Sequence, residues 1–198
     1  CYKYLEGFTF IILVYNHQDY IIEHLESIKF LIENYGSGIK VNLIVNDDKS
    51  KDNSIRLIDQ WISVNSNLFN QVIKLYNKTN LGTCRSVINT LNCTKTKYAK
   101  ITAGDDVYSF ENIFEIAKTP NSSTILTYCY PLELIEGKLS QNNLDILQII
   151  GTDKIYKTKD ILDRFIFPSN NNAPNMFFNM ENLNTDSVKE FLQKFDVV

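Results

Sequence analysis

Two adjacent aspartates, Asp105 and Asp106, follow an apolar stretch of the chain, residues 98–103. Adjacent carboxylates repel each other and are costly to remove from water, so such a pair at the end of a buried strand needs an explanation. One explanation is a solvated turn in which the pair caps a helix or closes an Asx turn. The other is a divalent cation, because carboxylate and phosphate oxygens are the ligands that Mg²⁺ and Mn²⁺ prefer.

Three further polar clusters follow apolar stretches in the same manner. They are Tyr15 and Asn16 after residues 8–14, Asp47 and Asp48 after residues 40–45, and Asn80 and Gly82 after residues 71–76. In an open α/β sheet, ligands bind outside the carboxyl ends of the strands. Four clusters in this arrangement therefore predict one polar crevice along a single edge of the sheet.

Each cluster also has a simpler interpretation. The ring of Tyr15 is suited to stack on a base, yet it would serve equally as core. Gly82 would let the backbone approach a ligand, or would only close a loop. Residues 47–52 predict a polar turn, and a calcium loop fits poorly because Asn53 stands where the sharp turn needs glycine. His17 is a lone loop histidine for which a surface role is expected.

The elements that must position these clusters alternate between strand and helix. The four apolar runs predict four strands, at residues 8–14, 40–45, 71–76 and 98–103. Three helices are predicted between them: Ile21 to a stop at Gly36, a helix around Ile58 capped by Ser50 or Asp52, and residues 84–91. This alternation predicts right-handed crossovers and an α/β fold, with a Rossmann-like, mainly parallel sheet flanked by helices.

The second half of the chain is less regular. A strand is predicted within residues 124–130, a hairpin near Gly137, and helices near residues 159–165 and 186–195. Residues 168–175 are rich in asparagine and predict a loop. The sequence contains no internal repeat and no linker-like composition, so a single domain over residues 1–198 is expected.

The composition narrows the class of protein. A net charge of −3 argues against a nucleic-acid binder, which carries a basic stripe. The four cysteines lack CxxC spacing, so reduced thiols in a cytoplasmic protein are expected rather than a zinc site. The longest apolar run, residues 8–15, is too short to span a bilayer, and the chain begins at Cys1 without a recognisable signal peptide.

The order of the segments resembles the nucleotide-sugar-binding half of family-2 glycosyltransferases, which have the GT-A fold. The segments are FIILVYNHQDYIIEHLESI, VNLIVNDDKSKDNS, NLGT and YAKITAGDDVY, within about residues 9–110. The resemblance implies an inverting transfer of a sugar from a nucleoside diphosphate donor to a glycan, lipid-linked or protein-linked acceptor, assisted by Mn²⁺ or Mg²⁺. It divides the domain into a donor-binding half, about 8–110, and an irregular acceptor-side half, about 111–198.

Carried over by position, the resemblance implies a role for each residue of the four clusters. Tyr15 would flank the base beside Asn16, and Asp48 would accept a hydrogen bond from a uracil-like edge, with Asp47 beside it. Asp105 would lie by the ribose or the diphosphate, and Asp106 would ligate the metal. Asn80, Gly82 and Arg85 would line the donor pocket, although Arg85 would serve equally as a solvated helix residue.

The chain departs from the family pattern in three places. Ala103 stands where many members have another aspartate, and Asn46 stands where an apolar residue is common. The family's catalytic base is an Asp or Glu of the acceptor-side half. Glu181 and Asp186 lack the expected neighbours and are expected to be surface or helix-cap residues, so the base is expected beyond Val198.

Two other functions fit the same crevice. A nucleotidyltransferase would share the metal-binding carboxylates, but it should carry a glycine-rich basic loop where this chain has YNHQDY after the first strand. A non-catalytic module of the same fold would bind a donor or a partner without turnover. The resemblance favours UDP as the nucleotide and a cytoplasmic location, with attachment to the inner face of the membrane left open.

Overall fold

The long strands form at the four apolar runs of the sequence. The computed structural model describes residues 4–118, 126–128, 133–135, 137–140, 176–183 and 185–193. The strands are β1 (Leu5–Val14), β2 (Val41–Asp47), β3 (Gln71–Tyr76), β4 (Thr96–Ala103), β5 (Leu126–Tyr128), β6 (Glu133–Ile135), β7 (Lys138–Ser140) and β8 (Met176–Asn179). The helices are α1 (Ile21–Tyr35), α2 (Ser54–Asn65), α3 (Thr83–Cys93), α4 (Ile113–Lys118) and α5 (Thr185–Leu192), with a 3-10 turn at Ser66–Leu68.

Two compact units make up the chain. The first contains Cys1–Thr127 and Phe177–Val198, and the second contains Tyr128–Met176. Within the second unit, β6 and β7 form the predicted hairpin, with Gly137 at the turn in a left-handed conformation (φ 73°). The helix predicted near residues 159–165 and the loop predicted at 168–175 lie outside the described residues, and the domain count stays a prediction.

A six-stranded sheet has the order β3-β2-β1-β4-β8-β5. β1 lies parallel to both β2 and β4, and β2 lies parallel to β3, whereas β8 is antiparallel to β4. The register sets Val14 opposite Asp47, Asp47 opposite Tyr76, and Leu13 opposite Ala103. The carboxyl ends of the four parallel strands therefore lie at one edge, as the sequence predicts.

Both faces of β1 are buried, which explains why its sequence is apolar without alternation. On one face, Phe8, Phe10 and Phe114 pack together, with ring centroids 4.9 Å apart for Phe8 and Phe10 and 5.2 Å apart for Phe8 and Phe114. On the other face, a second cluster includes Ile11 and Leu91 of α3. Fully burying each such side chain stabilises the fold by roughly 1.5–3 kcal/mol, so burial on both faces anchors this strand firmly in the sheet.

Three details differ from the sequence-based expectation. β8 was not predicted, because a four-residue strand shows too short a pattern to distinguish from loop. β2 continues through Asp47, since the backbone ladder with β1 and β3 extends that far. The N-cap position of α2 is Asn53, which makes no capping bond through its side chain. Of the two predicted capping residues, Asp52 accepts from the N–H of Ser54, the first residue of the helix, whereas Ser50 bonds to the loop after β1.

Of the helices described, none combines the length and the apolar composition that crossing a bilayer requires.

Gly7 marks a tight backbone contact at the start of the sheet. Its φ is 149°, and a Cβ at this position would lie 2.5 Å from the carbonyl oxygen of Lys40. We expect Gly7→Ala to lower the free energy of unfolding by about 2 kcal/mol or more, measured by urea denaturation, because backbone must move to relieve the clash.

Gly38→Ala is the matched control. Gly38 also has a positive φ (74°), but a Cβ added to it would meet no atom within 4 Å outside its chain neighbours. Gly38→Ala should lower the free energy of unfolding by only about 1 kcal/mol, because alanine disfavours the left-handed conformation. Equal losses for the two variants would contradict the packing argument.

Candidate functional site

The loops that follow β1 and β2 are joined by reciprocal hydrogen bonds. The backbone N–H of Asn16 donates to Oγ of Ser50 (2.9 Å), and Oδ1 of Asn16 accepts from the N–H of Lys51 (2.7 Å). The N–H of Gln18 donates to Oδ2 of Asp52 (3.0 Å). Asn16 adopts φ 59°, a left-handed conformation that asparagine tolerates better than most residues. The two loops therefore form one surface at the sheet edge.

The carboxylate of Asp52 is fully occupied by this structural role. Its Oδ1 accepts from the N–H and the Oγ–H of Ser54, at 3.0 and 2.6 Å. Burial raises the pKa of Asp52, but the hydrogen bonds from Ser54 and Gln18 outweigh burial and hold the pKa below its usual value. Asp52 is thus a residue that shapes the loop.

Asp48 has the same kind of role for the loop after β3. Its Oδ1 accepts from Nδ2 of Asn77 (2.8 Å) and from the N–H of Leu81 (2.7 Å), and its Oδ2 accepts from the N–H of Gly82 (2.8 Å). Gly82 adopts φ 80°, and its N–H also contacts Oδ1 of Asn80 at 3.1 Å. Three hydrogen-bond donors thus already engage the Asp48 carboxylate, which the family resemblance assigns to the nucleobase of the donor.

Asn46 and Asp47, at the end of β2, are buried and incompletely bonded. Asp47 Oδ2 accepts from the N–H of Ser50 (2.9 Å), whereas its buried Oδ1 lacks a hydrogen-bond partner among the described residues. Nδ2 of Asn46 donates to Oγ of Ser86 (3.3 Å), and its buried Oδ1 also lacks a hydrogen-bond partner among the described residues. Buried polar atoms without partners are rare, so the Asp47 oxygen marks a point where a donor is missing.

Asp105 and Asp106 lie in a tight turn at the end of β4. The N–H of Asp106 donates to the carbonyl of Ala103 (3.3 Å), and the N–H of Ala103 donates to Oδ2 of Asp106 (3.2 Å). The turn closes through these two bonds, and it is neither a helix cap nor an Asx turn, because the Asp106 side chain accepts from a residue three positions earlier and the next helix begins only at Ile113. Among the described residues, no hydrogen bond engages the other carboxylate oxygen of Asp106, so that oxygen is available to a ligand.

Electrostatics distinguish the two carboxylates of the turn. Burial raises the pKa of Asp106, and the neighbouring charge of Asp105 raises it further, while the N–H of Ala103 and the charge of Lys100 act in the opposite direction. Asp105 is exposed, with 49% of its side chain accessible. A cation bound at the turn would relieve both the repulsion and the desolvation of Asp106.

His24 of α1 lies fully buried beneath this turn. Its Nδ1 donates to the backbone carbonyl of Asp106 at 2.6 Å, and its Nε2 is 3.5 Å from Oγ1 of Thr102. The ring of Tyr108 packs against the imidazole with centroids 5.5 Å apart. Burial lowers the pKa of His24 to about 4, so the ring is neutral at neutral pH.

His17 contacts the same turn from the loop after β1. Its Nε2 lies 3.7 Å from Oδ1 of Asp105, and its buried Nδ1 lacks a hydrogen-bond partner among the described residues. A Cβ on Gly104 would lie 2.9 Å from that Nδ1, so the ring packs closely over the glycine and would have to shift if a side chain were added there. The prediction of a plain surface role for His17 does not describe this contact.

Lys100 places a buried positive charge in the strand that leads to the turn. Only 2% of the residue is exposed, and its Nζ lies 4.2 Å from the ring centroid of Phe177 and 5.7 Å from that of Tyr108. Aromatic faces stabilise a cation by about 0.5–2 kcal/mol each. Neither Lys100 nor His24 was predicted from the sequence, since a single polar residue within an apolar segment carries no spacing pattern.

The remaining predicted residues lie on the surface of the site. Tyr15 is 42% exposed at the end of β1, so its ring is open to stacking. Asn80 and Arg85 are exposed on the loop before α3 and on α3 itself. Glu181 pairs with Lys97 at 3.3 Å and Asp186 pairs with Lys189 at 3.5 Å, so both acidic residues are engaged in ion pairs as expected for surface residues.

The oxygen atoms available at this site suit a hard cation whose ligands come mainly from the substrate and from water. Within the described part of the chain, no group of three or more His, Cys, Asp or Glu side chains is placed to hold a metal ion. Mg²⁺ and Mn²⁺ that act on phosphates take only one or two protein carboxylates, with the remaining ligands from phosphate oxygens and water. Asp106, with one unengaged oxygen, fits that requirement, and a zinc site with an all-protein ligand set does not.

Comparison with known proteins identifies the family to which the chain belongs. The sequence model of the family described as glycosyl transferase family 2 matches residues 9–170. The chain therefore belongs to glycosyl transferase family 2, and the resemblance inferred from its four segments is confirmed. No curated protein sequence matches the chain.

Solved structures with similar coordinates share the GT-A fold. TarS from S. aureus in complex with UDP has a TM-score of 0.61 at 16% identity, over 95% of this chain and 54% of that one. The mannosyltransferase PcManGT from Pyrobaculum calidifontis, in complex with GDP-Man and Mn²⁺, has a TM-score of 0.54 at 15% identity, over 65% and 38%. Glucosyl-3-phosphoglycerate synthase from Mycobacterium tuberculosis, in complex with Mn²⁺, UDP and phosphoglyceric acid, has a TM-score of 0.52 at 13% identity, over 89% and 56%.

These structural comparisons establish the fold of the chain but not the reaction. At 13–16% identity the likeness shows the fold alone, which confirms the predicted α/β, GT-A class. The chain spans between 38% and 56% of the length of the three proteins.

The pH dependence of stability should report His24 directly. The unfolded chain binds a proton on this histidine below about pH 6.5, whereas the folded chain does so only below about pH 4. Between these values the unfolded state holds more protons, so stability must fall as the pH falls. At about 1.4 kcal/mol per pH unit, the contribution lost is about 3 kcal/mol.

Urea denaturation from pH 7.5 to 4.5 measures this loss in the free energy of unfolding, and His24→Leu should flatten the dependence of stability on pH in this window. An unchanged slope in that variant would contradict the assignment.

Asp48→Asn should destabilise the ligand-free protein. The amide leaves one oxygen to accept hydrogen bonds where the carboxylate serves the N–H groups of Leu81 and Gly82. We expect a loss of about 1–3 kcal/mol in the free energy of unfolding, with Asp19→Asn, an exposed aspartate of the loop before α1, as control. Equal stability of the two variants would show that Asp48 does not hold the loop.

Proposed function

We propose that this chain is the donor-binding part of an inverting glycosyltransferase that uses a nucleoside diphosphate sugar. The observation that carries the proposal is the convergence of four polar strand ends at one edge, with the partly unengaged carboxylate of Asp106 among them. The family supports sugar transfer as the reaction. The acceptor is a glycan, a lipid-linked glycan or a protein.

The nucleoside is expected to lie against the loops after β1, β2 and β3. Tyr15 offers an exposed ring for stacking, and a base–aromatic stack contributes about 1–3 kcal/mol. Asp48 and the backbone around Gly82 would form the wall of this pocket, together with Asn80 and Arg85. UDP is the favoured nucleotide, in keeping with TarS and glucosyl-3-phosphoglycerate synthase, each of which was crystallised with UDP.

The diphosphate is expected to lie at the turn of Asp105 and Asp106. Asp106 would hold Mn²⁺ or Mg²⁺, which when bound neutralises the charge that develops on the leaving diphosphate. Asp105, exposed beside His17, is then suited to contact the ribose. PcManGT and glucosyl-3-phosphoglycerate synthase, each solved with Mn²⁺, also contain a nucleotide or nucleotide sugar, which is the association this arrangement requires.

Inversion requires a base on the face of the sugar opposite the leaving group, to take the proton of the acceptor hydroxyl. We do not assign this role to Glu181, which pairs with Lys97, or to Asp186, which lies exposed on α5. The base is proposed to belong to the acceptor-side part of the protein.

Nucleotide-dependent thermal stability tests the proposal. UDP, GDP and dTDP, each with and without Mn²⁺, should be compared on the wild-type chain and on Asp106→Asn. At about 100 times its dissociation constant a ligand stabilises the folded state by about 2.7 kcal/mol. We expect stabilisation by UDP that requires both Mn²⁺ and the Asp106 carboxylate.

Asp186→Asn is the control, since this carboxylate is 88% exposed on α5. It should retain the full response. Stabilisation by no nucleotide would contradict the proposal, and nucleotide binding with no sugar transfer by the full-length protein would indicate the non-catalytic module instead.

A further inference from the structure

The chain contains only two histidines, and both contact the turn that carries Asp105 and Asp106. His17 approaches the side chain of Asp105 from the loop after β1. His24 approaches the backbone of Asp106 from the first turns of α1. Of the two, His24 makes the shorter contact and is wholly removed from solvent.

The hydrogen bond from His24 engages the peptide between Asp106 and Val107. Nδ1 lies 2.6 Å from the carbonyl oxygen of Asp106, so the proton must be on Nδ1 and Nε2 must accept. Oγ1 of Thr102 lies 3.5 Å from Nε2 and is also 3.1 Å from the hydroxyl of Tyr108. The histidine therefore connects α1 to the strand before the turn and to the segment after it.

Helix α1 continues this contact along the segment that follows the turn. The N–H of Tyr108 donates to Oγ of Ser27 (3.1 Å), and the hydroxyl of Tyr35 donates to the carbonyl of Phe110 (2.8 Å). The ring of Phe110 also packs against Phe30, with centroids 5.1 Å apart. These contacts secure residues 108–110, whereas the His24 bond is the one that reaches the Asp106 peptide itself.

A buried histidine is a costly choice for packing alone. Its neighbours on the buried side of α1 are Ile21, Leu25, Ile28 and Leu31, and another aliphatic residue would fill the position without desolvating two ring nitrogens. An aliphatic side chain would, however, leave the carbonyl of Asp106 without its donor. The polarity of the residue is thus explained by its contact with the turn.

We propose that His24 is a positioning residue that holds the Asp106 carboxylate in the geometry required for the metal–diphosphate group of the donor. It acts through the backbone of Asp106 and does not touch the metal or the substrate. This inference rests on the donor-metal role of Asp106 proposed above. Removing groups that orient a metal ligand typically lowers metal affinity by about 10-fold to 100-fold.

Two isosteric substitutions separate a positioning role from a packing role. In His24→Asn the side-chain amide nitrogen takes the place of Nδ1, so a donor to Asp106 is retained. In His24→Gln the terminal amide takes the place of Nε2, so that donor is lost although the side chain is larger and still polar. Ile28→Val, one turn further along the same buried face, controls for loss of packing in α1.

Amide hydrogen exchange of the ligand-free protein is the first measurement. We expect faster exchange at the N–H of Asp106 and its neighbours in His24→Gln, and rates close to wild type in His24→Asn and Ile28→Val. Equal protection of the turn in the Gln and Asn variants would overturn the proposal, whether or not any nucleotide binds.

The second measurement is the Mn²⁺ concentration at which UDP gives half of its thermal stabilisation. It should rise by about 10-fold or more in His24→Gln and change little in His24→Asn. Faster exchange at the turn with an unchanged Mn²⁺ requirement would overturn the positioning role and leave His24 as a structural residue. If the wild-type chain binds no nucleotide, the proposed metal-binding role of Asp106 is itself wrong. That outcome is measured on the wild-type protein and does not depend on any His24 variant.

Discussion

The parallel register of β1 with β2 and β4 is the constraint on which the rest of this structure depends. It continues beyond the strands, because the N–H of Asp48 donates to the carbonyl of Val14 and the N–H of Gly104 donates to that of Leu13, each at 2.9 Å. A slip of one residue would exchange the buried faces of β1. It would also separate the acidic turn from the loops that are expected to hold the nucleoside.

Acidic residues at this edge divide into those that build the site and those that remain available. Asp48 and Asp52 use their oxygens to accept hydrogen bonds from neighbouring N–H and hydroxyl groups, which gives the loops a fixed shape without regular secondary structure. Asp105 and Asp106 form few such bonds. This division is what a preorganised site needs, since loops that are already ordered lose less entropy when a ligand binds.

The contacts of α1 extend this principle to the acidic turn. A turn at the end of a strand has little secondary structure of its own, so its conformation depends on neighbours. His24 and Tyr35 supply hydrogen bonds from one side, and His17 packs over Gly104 on another. The helix after β1 therefore does more than cover the sheet, because its side chains bond to the backbone of the acidic turn and of the segment that follows it.

The sequence by itself determined the fold class, the four long strands, and the residues that meet at their ends. It could do so because apolar runs and polar breaks are local patterns, and because parallel strands must end at a common edge. It could not assign the short strand β8, the engagement of Asp48 by Leu81 and Gly82, or the contacts of His17, His24 and Lys100 with the turn and its surroundings. Those depend largely on residues far apart in the chain, such as Asp48 and Leu81 or His24 and Asp106, for which no local pattern exists. Only the tertiary structure decided which carboxylates are used internally and which are left for a ligand, because that depends on the donors that packing brings within hydrogen-bond distance.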